Sequence, residues 1–342
     1  MIAGRVLRLI GRRLLSSLPA LFGVVTLTFL LMRVLPGDPA VFFSSGPNTG
    51  QAEIELIRER MGLNRPLIEQ FGFYLRDLAK GDLGNSLTSG QPVAKDLMAR
   101  LPASLELTIA ALLLALAVAL PLGFIAAMRP DSAIDQIIRV FCTLGVAVPT
   151  FVSGLLLIFL FYYLLGWAPP PVGRIDSFGS APPVWSGFLL IDSLLAGDLE
   201  TFGAALSQLV LPMTTMALFV MAPLARMTRA ATLAVTTSDF VRTAEALGLP
   251  RARILVSYIL HNAMLPILTT VGIVFSTMLG ANVLVEKVFA WPGIASYALD
   301  ALLSSDYAPV QGFVLMIASI FVILNLVIDL LYSLADPRVS IE

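Results

Sequence analysis

The chain is short of charge, cysteine, histidine and lysine, and each shortage removes a class of function. Only 13% of its 342 residues are charged and 57% are hydrophobic, against about 25% charged in an ordinary soluble domain. So few charges cannot cover the cores that a soluble chain of this length would build. The net charge of -1, from 22 basic and 23 acidic residues, supplies no clustered positive surface to displace counterions, which argues against nucleic acid as a partner. The one cysteine, Cys142, excludes an internal disulfide and a multi-cysteine metal cluster. The one histidine, His261, excludes a multi-histidine zinc site.

What the chain has instead is apolar length, with a mean hydropathy of +0.87. A helix needs roughly 20 apolar residues to cross a hydrocarbon core of about 30 Å. Six stretches lack any charged residue at that length: Leu14–Met32, Leu107–Ala127, Val140–Leu165, Ala204–Ala225, Ala263–Val285 and Val310–Ile328. Barrel strands would alternate and be half as long, so the expected fold is an all-α polytopic membrane protein with six transmembrane helices. The first stretch follows Arg5, Arg8, Arg12 and Arg13 but runs into Pro36-Gly37-Asp38-Pro39 without a small-residue cleavage site, so it reads as a retained helix.

Six spans put both termini and the second and fourth loops on one side. That side carries Arg5, Arg8, Arg12, Arg13, Arg129, Arg139, Arg226, Arg229, Arg242, Arg251, Arg253 and Arg338, whereas the two shorter opposite loops hold only Arg174 and Lys287. The positive-inside rule then predicts that both termini are cytoplasmic. The chain divides into a cytoplasmic N-terminus (1–13), a first transmembrane helix (14–32), an external helical loop (33–106), a five-helix membrane domain (107–328) with a cytoplasmic loop at 226–262, and a cytoplasmic C-terminus (329–342). Pro19, Pro121, Pro149, Pro212, Pro223 and Pro266 fall within the spans, as hinges or as the prolines that membrane helices tolerate.

In the first loop, Ala52–Met61 and a stripe of Leu67, Phe71, Tyr74, Leu75 and Leu78 have helical spacing, Gly81–Ser86 reads as a turn and Pro92–Arg100 as a third short helix. This loop is a cap packed on the membrane domain, a docking surface for an external partner, or both. In the second external loop, Gly166–Gly203, Trp167 and Trp185 suit a membrane interface.

The fourth loop, Arg226–Asn262, is longer than a connector needs. Ser238 or Asp239 can cap a helix Phe240–Leu247, Gly248 can end it in a left-handed turn, and Pro250 can open the next helix. The result is a stiff helix–turn–helix, the shape of a lever.

Phe240-Val-Arg-Thr-Ala-Glu-Ala-Leu-Gly248 followed by Asn262-Ala-Met-Leu-Pro266 resembles the signature loop of ABC importer permeases of the dipeptide/oligopeptide/nickel branch. Arg242-Thr243-Ala244 stands at the Glu-Ala-Ala positions of the general pattern and Gly248 at its glycine, while Tyr258-Ile259-Leu260-His261 replaces Ile-x-Leu-Pro. Leu35-Pro-Gly-Asp-Pro39, Met61-Gly-Leu-Asn-Arg-Pro66, Gly81-Asp-Leu-Gly84, Leu101-Pro-Ala-Ser-Leu-Glu106, Phe289-Ala-Trp-Pro-Gly293, Asp306-Tyr307 and Asp336-Pro-Arg338 resemble the same branch. Gly187-Phe-Leu-Leu-Ile-Asp192 and Arg226-Met-Thr-Arg229 look most like dipeptide permeases, so the resemblance extends over the whole chain.

The resemblance implies a type I ABC importer transmembrane fold in a bacterial inner membrane, paired with a second, homologous permease and two cytoplasmic ATPases and fed by an external solute-binding protein. It implies that Arg242, Thr243, Ala244, Glu245, Ala246 and Gly248 couple this chain to an ATPase. Dipeptides, longer peptides, nickel chelates and other small solutes all stay open as substrates. ATP and Mg would belong to the partners. This chain's three lysines, Lys80, Lys95 and Lys287, all fall on the expected external side, where none can serve a phosphate loop.

No zinc-protease motif or nucleophile turn occurs, so catalytic residues, metal and cofactor are expected to be absent from this chain. His261 reads as a cap or headgroup contact and Cys142 as an inert core residue. An ion-driven carrier is the rival reading, but such carriers place an ionisable residue near the bilayer midplane. The six stretches hold none, and Glu106, Glu286 and Asp329 flank span ends within reach of water or headgroups, with structural partners expected for Glu106 and Glu286 because the resembling blocks around them include the acid. Thr150, Ser153, Gln208, Thr214, Thr215, Ser276 and Asn282 are candidates for a translocation path, with helix–helix hydrogen bonding as the plainer role for each.

Overall fold

The computed structural model describes residues 2–34, 51–60, 62–175 and 182–335. The motifs Leu35–Pro39 and Asp336–Arg338, and Met61, lie outside the described residues. In chain order the helices are α1 (Ile2–Val34), α2 (Gln51–Arg60), α3 (Leu67–Ala79), α4 (Val93–Met128), α5 (Ala133–Ala147), α6 (Thr150–Leu157), α7 (Leu189–Leu195), α8 (Leu199–Thr236), α9 (Asp239–Ala246), α10 (Arg251–Arg253), α11 (His261–Val288), α12 (Ile294–Leu303) and α13 (Tyr307–Ala335). Wider π-helical turns follow α6 at Ile158–Leu164 and α10 at Ile254–Leu260. The motif Tyr258–His261 therefore runs out of the second π-helical segment into α11.

Among the described residues, five helices are long and apolar enough to cross a membrane, or six when α5 and α6 count as one bent span. The expected span Val140–Leu165 is therefore not one straight helix: Ala133–Gly145 and Thr150–Leu164 meet at 99°. Val148 precedes Pro149 and adopts an extended backbone (φ −93, ψ 125), because the proline ring disfavours the helical region for its predecessor. The expected short helix at Pro92–Arg100 is not separate either, but is the first part of the 36-residue α4.

The chain forms two compact units, and α1, α4 and α13 contribute to both. The first comprises Ala103–Trp291 with the described parts of Met1–Ile10 and Ile323–Glu342. Between lipid-embedded helices the hydrophobic effect supplies little, so close packing must hold them together. Ala103, Leu107, Ala111, Ala115 and Ala119 recur at every fourth position of α4, each at most 1% exposed. Gly123 continues that line, and a Cβ there would lie 2.5 Å from the Ala225 carbonyl oxygen of α8. Leu209, Met216 and Val220 of α8 and Val274 and Met278 of α11 complete the core. Trp291 closes it, its indole N–H donating to the Ala103 carbonyl at 2.9 Å.

The second unit comprises Gly11–Pro102 and Pro292–Val322. The aromatic stripe of α3 packs on α1, with Phe71 and Tyr74 rings 5.0 and 5.7 Å from Phe29. Packing is thus the role seen for that stripe. Val93 and Leu97 pack with Ile294 and Tyr297 of α12. Buried Asp306 accepts hydrogen bonds at one oxygen from the Ser86 hydroxyl (2.7 Å), the Thr88 N–H (3.1 Å) and the Thr88 hydroxyl (2.7 Å). Nearby, the Tyr297 hydroxyl donates to Asp96 at 3.0 Å. Burial, with the charges of Asp96 and Asp306, pushes the Tyr297 hydroxyl pKa up to about 12. Asp306→Asn is expected to cost about 2 kcal/mol, because neutral acceptors bond less strongly than charged ones. A lower melting temperature of the detergent-solubilised protein checks this.

Candidate functional site

The expected helix–turn–helix after α8 is present, as α9, a turn and α10. Ser238 occupies the N-cap position with extended backbone (φ −76, ψ 153), but its hydroxyl donates back to the Val235 carbonyl at 2.6 Å. The helix starts at Asp239, one residue earlier than expected. At its end Gly248 has φ +70. The Gly248 N–H donates to the Glu245 carbonyl (2.9 Å) and the Leu249 N–H to the Ala244 carbonyl (3.2 Å), the bond pair of a Schellman cap. Pro250 precedes the next helix rather than opening it.

Val241 and Ala244, three apart and so on one face, enter a cluster with Ile254 and Ile259. Phe124 of α4 and Val235 of α8 pack against that cluster. Ala244 is thus turned into its own chain, whereas Arg242, Thr243, Glu245, Ala246 and Gly248 are exposed. Leu247, 74% exposed, and Phe240 add apolar surface to this rim. Exposed Arg251 and Arg253 add positive charge.

The polar residues suggested for a path divide in two. Gln208, Thr215 and Asn282 are buried, while Thr150, Ser153, Thr214 and Ser276 are partly exposed. Thr214, Thr215 and Ser276 donate to carbonyls one turn back in their own helices. Asn282 bridges helices, its amide donating to the Thr108 hydroxyl at 3.2 Å.

Glu106 and Glu286, at the ends of their spans, are buried at 7% and 0% exposed, with the structural partners expected of them. Each has partners that make burial tolerable. Glu106 accepts from Arg174 at 2.5 Å and from the Leu190 N–H at 2.8 Å. The Ser104 hydroxyl donates to Glu286 at 2.5 Å. In the same loop as Arg174, burial disfavours a charged Asp192, but hydrogen bonds from the Ser186 hydroxyl and the Ser186, Gly187 and Trp185 N–H groups outweigh it and lower its pKa.

A further ion pair has almost no signature in the sequence. Asp135 of α5 is fully buried and accepts two hydrogen bonds from Arg229 of α8, Nε to Oδ1 and Nη2 to Oδ2, both 2.7 Å. The available signal was an acidic residue three positions after Ser132, whose hydroxyl accepts the Asp135 N–H at the start of α5.

Several helices long and apolar enough to cross a membrane, joined through an exposed helix and turn, define a multi-pass membrane protein. The chain belongs to the family of inner membrane components of binding-protein-dependent transport systems, matching the family over residues 119–341 and its N-terminal region over residues 6–108. It is an inner-membrane ABC importer permease subunit, not an enzyme. It is 40% identical to the di/tripeptide transport system permease protein DppB of Pseudomonas aeruginosa (strain UCBPP-PA14), over 98% of this chain and 99% of that one. The probable D,D-dipeptide transport system permease protein DdpB of Escherichia coli (strain K12) is 40% identical over 93% of each chain. The dipeptide transport system permease protein DppB of the same strain is 34% identical over 98% of this chain and 99% of that one.

Proposed function

We propose that this permease moves dipeptides or other short peptides inward by alternating access, with both termini cytoplasmic. A second permease completes the cavity, an external solute-binding protein delivers the peptide, and two cytoplasmic ATPases bind ATP and Mg and supply the energy. The peptide assignment is supported by the names of relatives that match nearly end to end. The orientation is supported by the arginines on the side of the fourth loop. The partly exposed Thr150, Ser153, Thr214 and Ser276 are the residues we assign to the path.

The observation that carries the coupling assignment is the exposed rim of α9 on its own buried core. A helix anchored by Val241 and Ala244 transmits force as a rigid body, and its outer residues are free to seat in an ATPase groove. Arg242, Thr243, Glu245, Ala246, Leu247 and Gly248 form that contact, with Ala244 as the anchor.

Leu247→Glu is expected to lower ATPase copurification about tenfold, since an apolar anchor of this size contributes on the order of 1.5–3 kcal/mol when buried. Expression and melting temperature should stay at parental values because the side chain is exposed. Undiminished ATPase recovery with normal uptake of labelled dipeptide would sink the docking assignment.

A further inference from the structure

We propose that Asp135 and Arg229 are positioning residues for transport, forming the joint through which movement of the coupling segment reaches α5. This rests on the coupling role assigned above to α9. The pair lies on the way from that segment. Arg229 lies seven residues before the end of α8 at Thr236, about 10 Å along the helix, and Val235 between Arg229 and α9 packs against the core under α9.

The geometry is that of a joint. Two parallel N–H···O bonds fix rotation of α5 about its axis as well as its distance from α8, whereas apolar contacts alone permit sliding. The same carboxylate accepts the Asp131 N–H at 3.1 Å, which ties in the turn between α4 and α5. Arg139, 3.8 Å away, adds a second positive charge. Further along, a Cβ at Gly145 of α5 would lie 3.1 Å from the Leu218 carbonyl of α8. The two helices therefore touch at both ends of an antiparallel contact, with Ile138 and Cys142 buried between. Beyond Gly145 the chain bends at Pro149 into α6. A displacement of the α8 end thus carries α5 with it and reaches the bend.

A buried ion pair is often replaceable by apolar residues without loss of stability, and that separates a joint from a structural tie. The test uses the complete transporter in proteoliposomes, with its binding protein and a labelled dipeptide, and reads peptide imported per ATP hydrolysed beside subunit stoichiometry. Asp135→Asn, Arg229→Lys and the double variant Asp135→Leu with Arg229→Met are compared with the parent. The expected result is parental stoichiometry in Arg229→Lys and the double variant, with import per ATP reduced about tenfold in all three. Parental import per ATP in the double variant overturns the proposal. Failure of both Arg229→Lys and the double variant to assemble also overturns it, assigning the pair to folding. Gly248→Val, run alongside, separates the two readings. If it behaves as the parent, the coupling assignment itself fails; if it uncouples while the pair variants do not, only the joint fails.

Discussion

Gly123→Val is expected to destabilise the permease strongly by prising α4 away from α8. The new Cβ would lie 2.5 Å from the Ala225 carbonyl oxygen and 2.7 Å from the Thr228 Cβ, and the first of these is backbone, which cannot rotate away. Relief requires α4 and α8 to part. Separation would loosen Ala119 one turn earlier and Phe124 beside it, so the core beneath α9 would suffer too. Overpacking of this kind costs about 3 kcal/mol. The melting temperature of the detergent-solubilised protein should fall sharply, with a smaller fall for Gly123→Ala. Gly280→Ala is the control, because a Cβ there meets nothing within 4 Å and alanine suits a helix better than glycine. A Gly123→Val protein melting with the parent would show that α4 and α8 do not meet in this way.

That contact also shows what the sequence could and could not reveal. Apolar length located the five long spanning helices and the bent pair, since helix length and charge exclusion are local properties. Direction is not local in the same sense: Pro149 is one of six prolines within the spans that could hinge, and nothing in the charge-free stretch Val140–Leu165 singles it out as the one that bends the chain at Val148. The ion pair was hidden for a different reason. Asp135 and Arg229 are 94 residues apart, and both lie outside the charge-free stretches, where basic residues are expected for orientation alone. Glu106 and Glu286 were expected to have partners, but which ones was not legible, because Arg174 and Ser104 are distant in sequence. The coupling segment was the most legible part. Its turn and apolar face come from residues within about two helical turns of one another; both helix ends and the place of Pro250 moved by one residue, and the Ser238 hydroxyl turned back to Val235 instead of capping the helix.

Gly248→Val is expected to cut peptide import about tenfold or more, because the left-handed region costs an L-residue roughly 1–2 kcal/mol and a β-branched one more. Space within the chain is not the obstacle, since a Cβ at Gly248 meets nothing within 4 Å. The strain falls on the backbone at φ +70. The chain can escape it only by giving up the two bonds that close the cap, from Gly248 to Glu245 and from Leu249 to Ala244. Either response shifts Leu247 and Arg242 relative to Val241 and Ala244, so the rim no longer moves with its anchor. Gly248→Asn distinguishes the turn from the contact, because asparagine tolerates the left-handed region yet carries a Cβ. Near-normal import in Gly248→Asn with failure in Gly248→Val would assign the glycine to the turn. Failure of both would mean that the ATPase approaches the backbone too closely for any side chain. Uptake of labelled dipeptide and ATPase recovery, measured together, separate these cases, and parental uptake in Gly248→Val would remove α9 from the coupling mechanism.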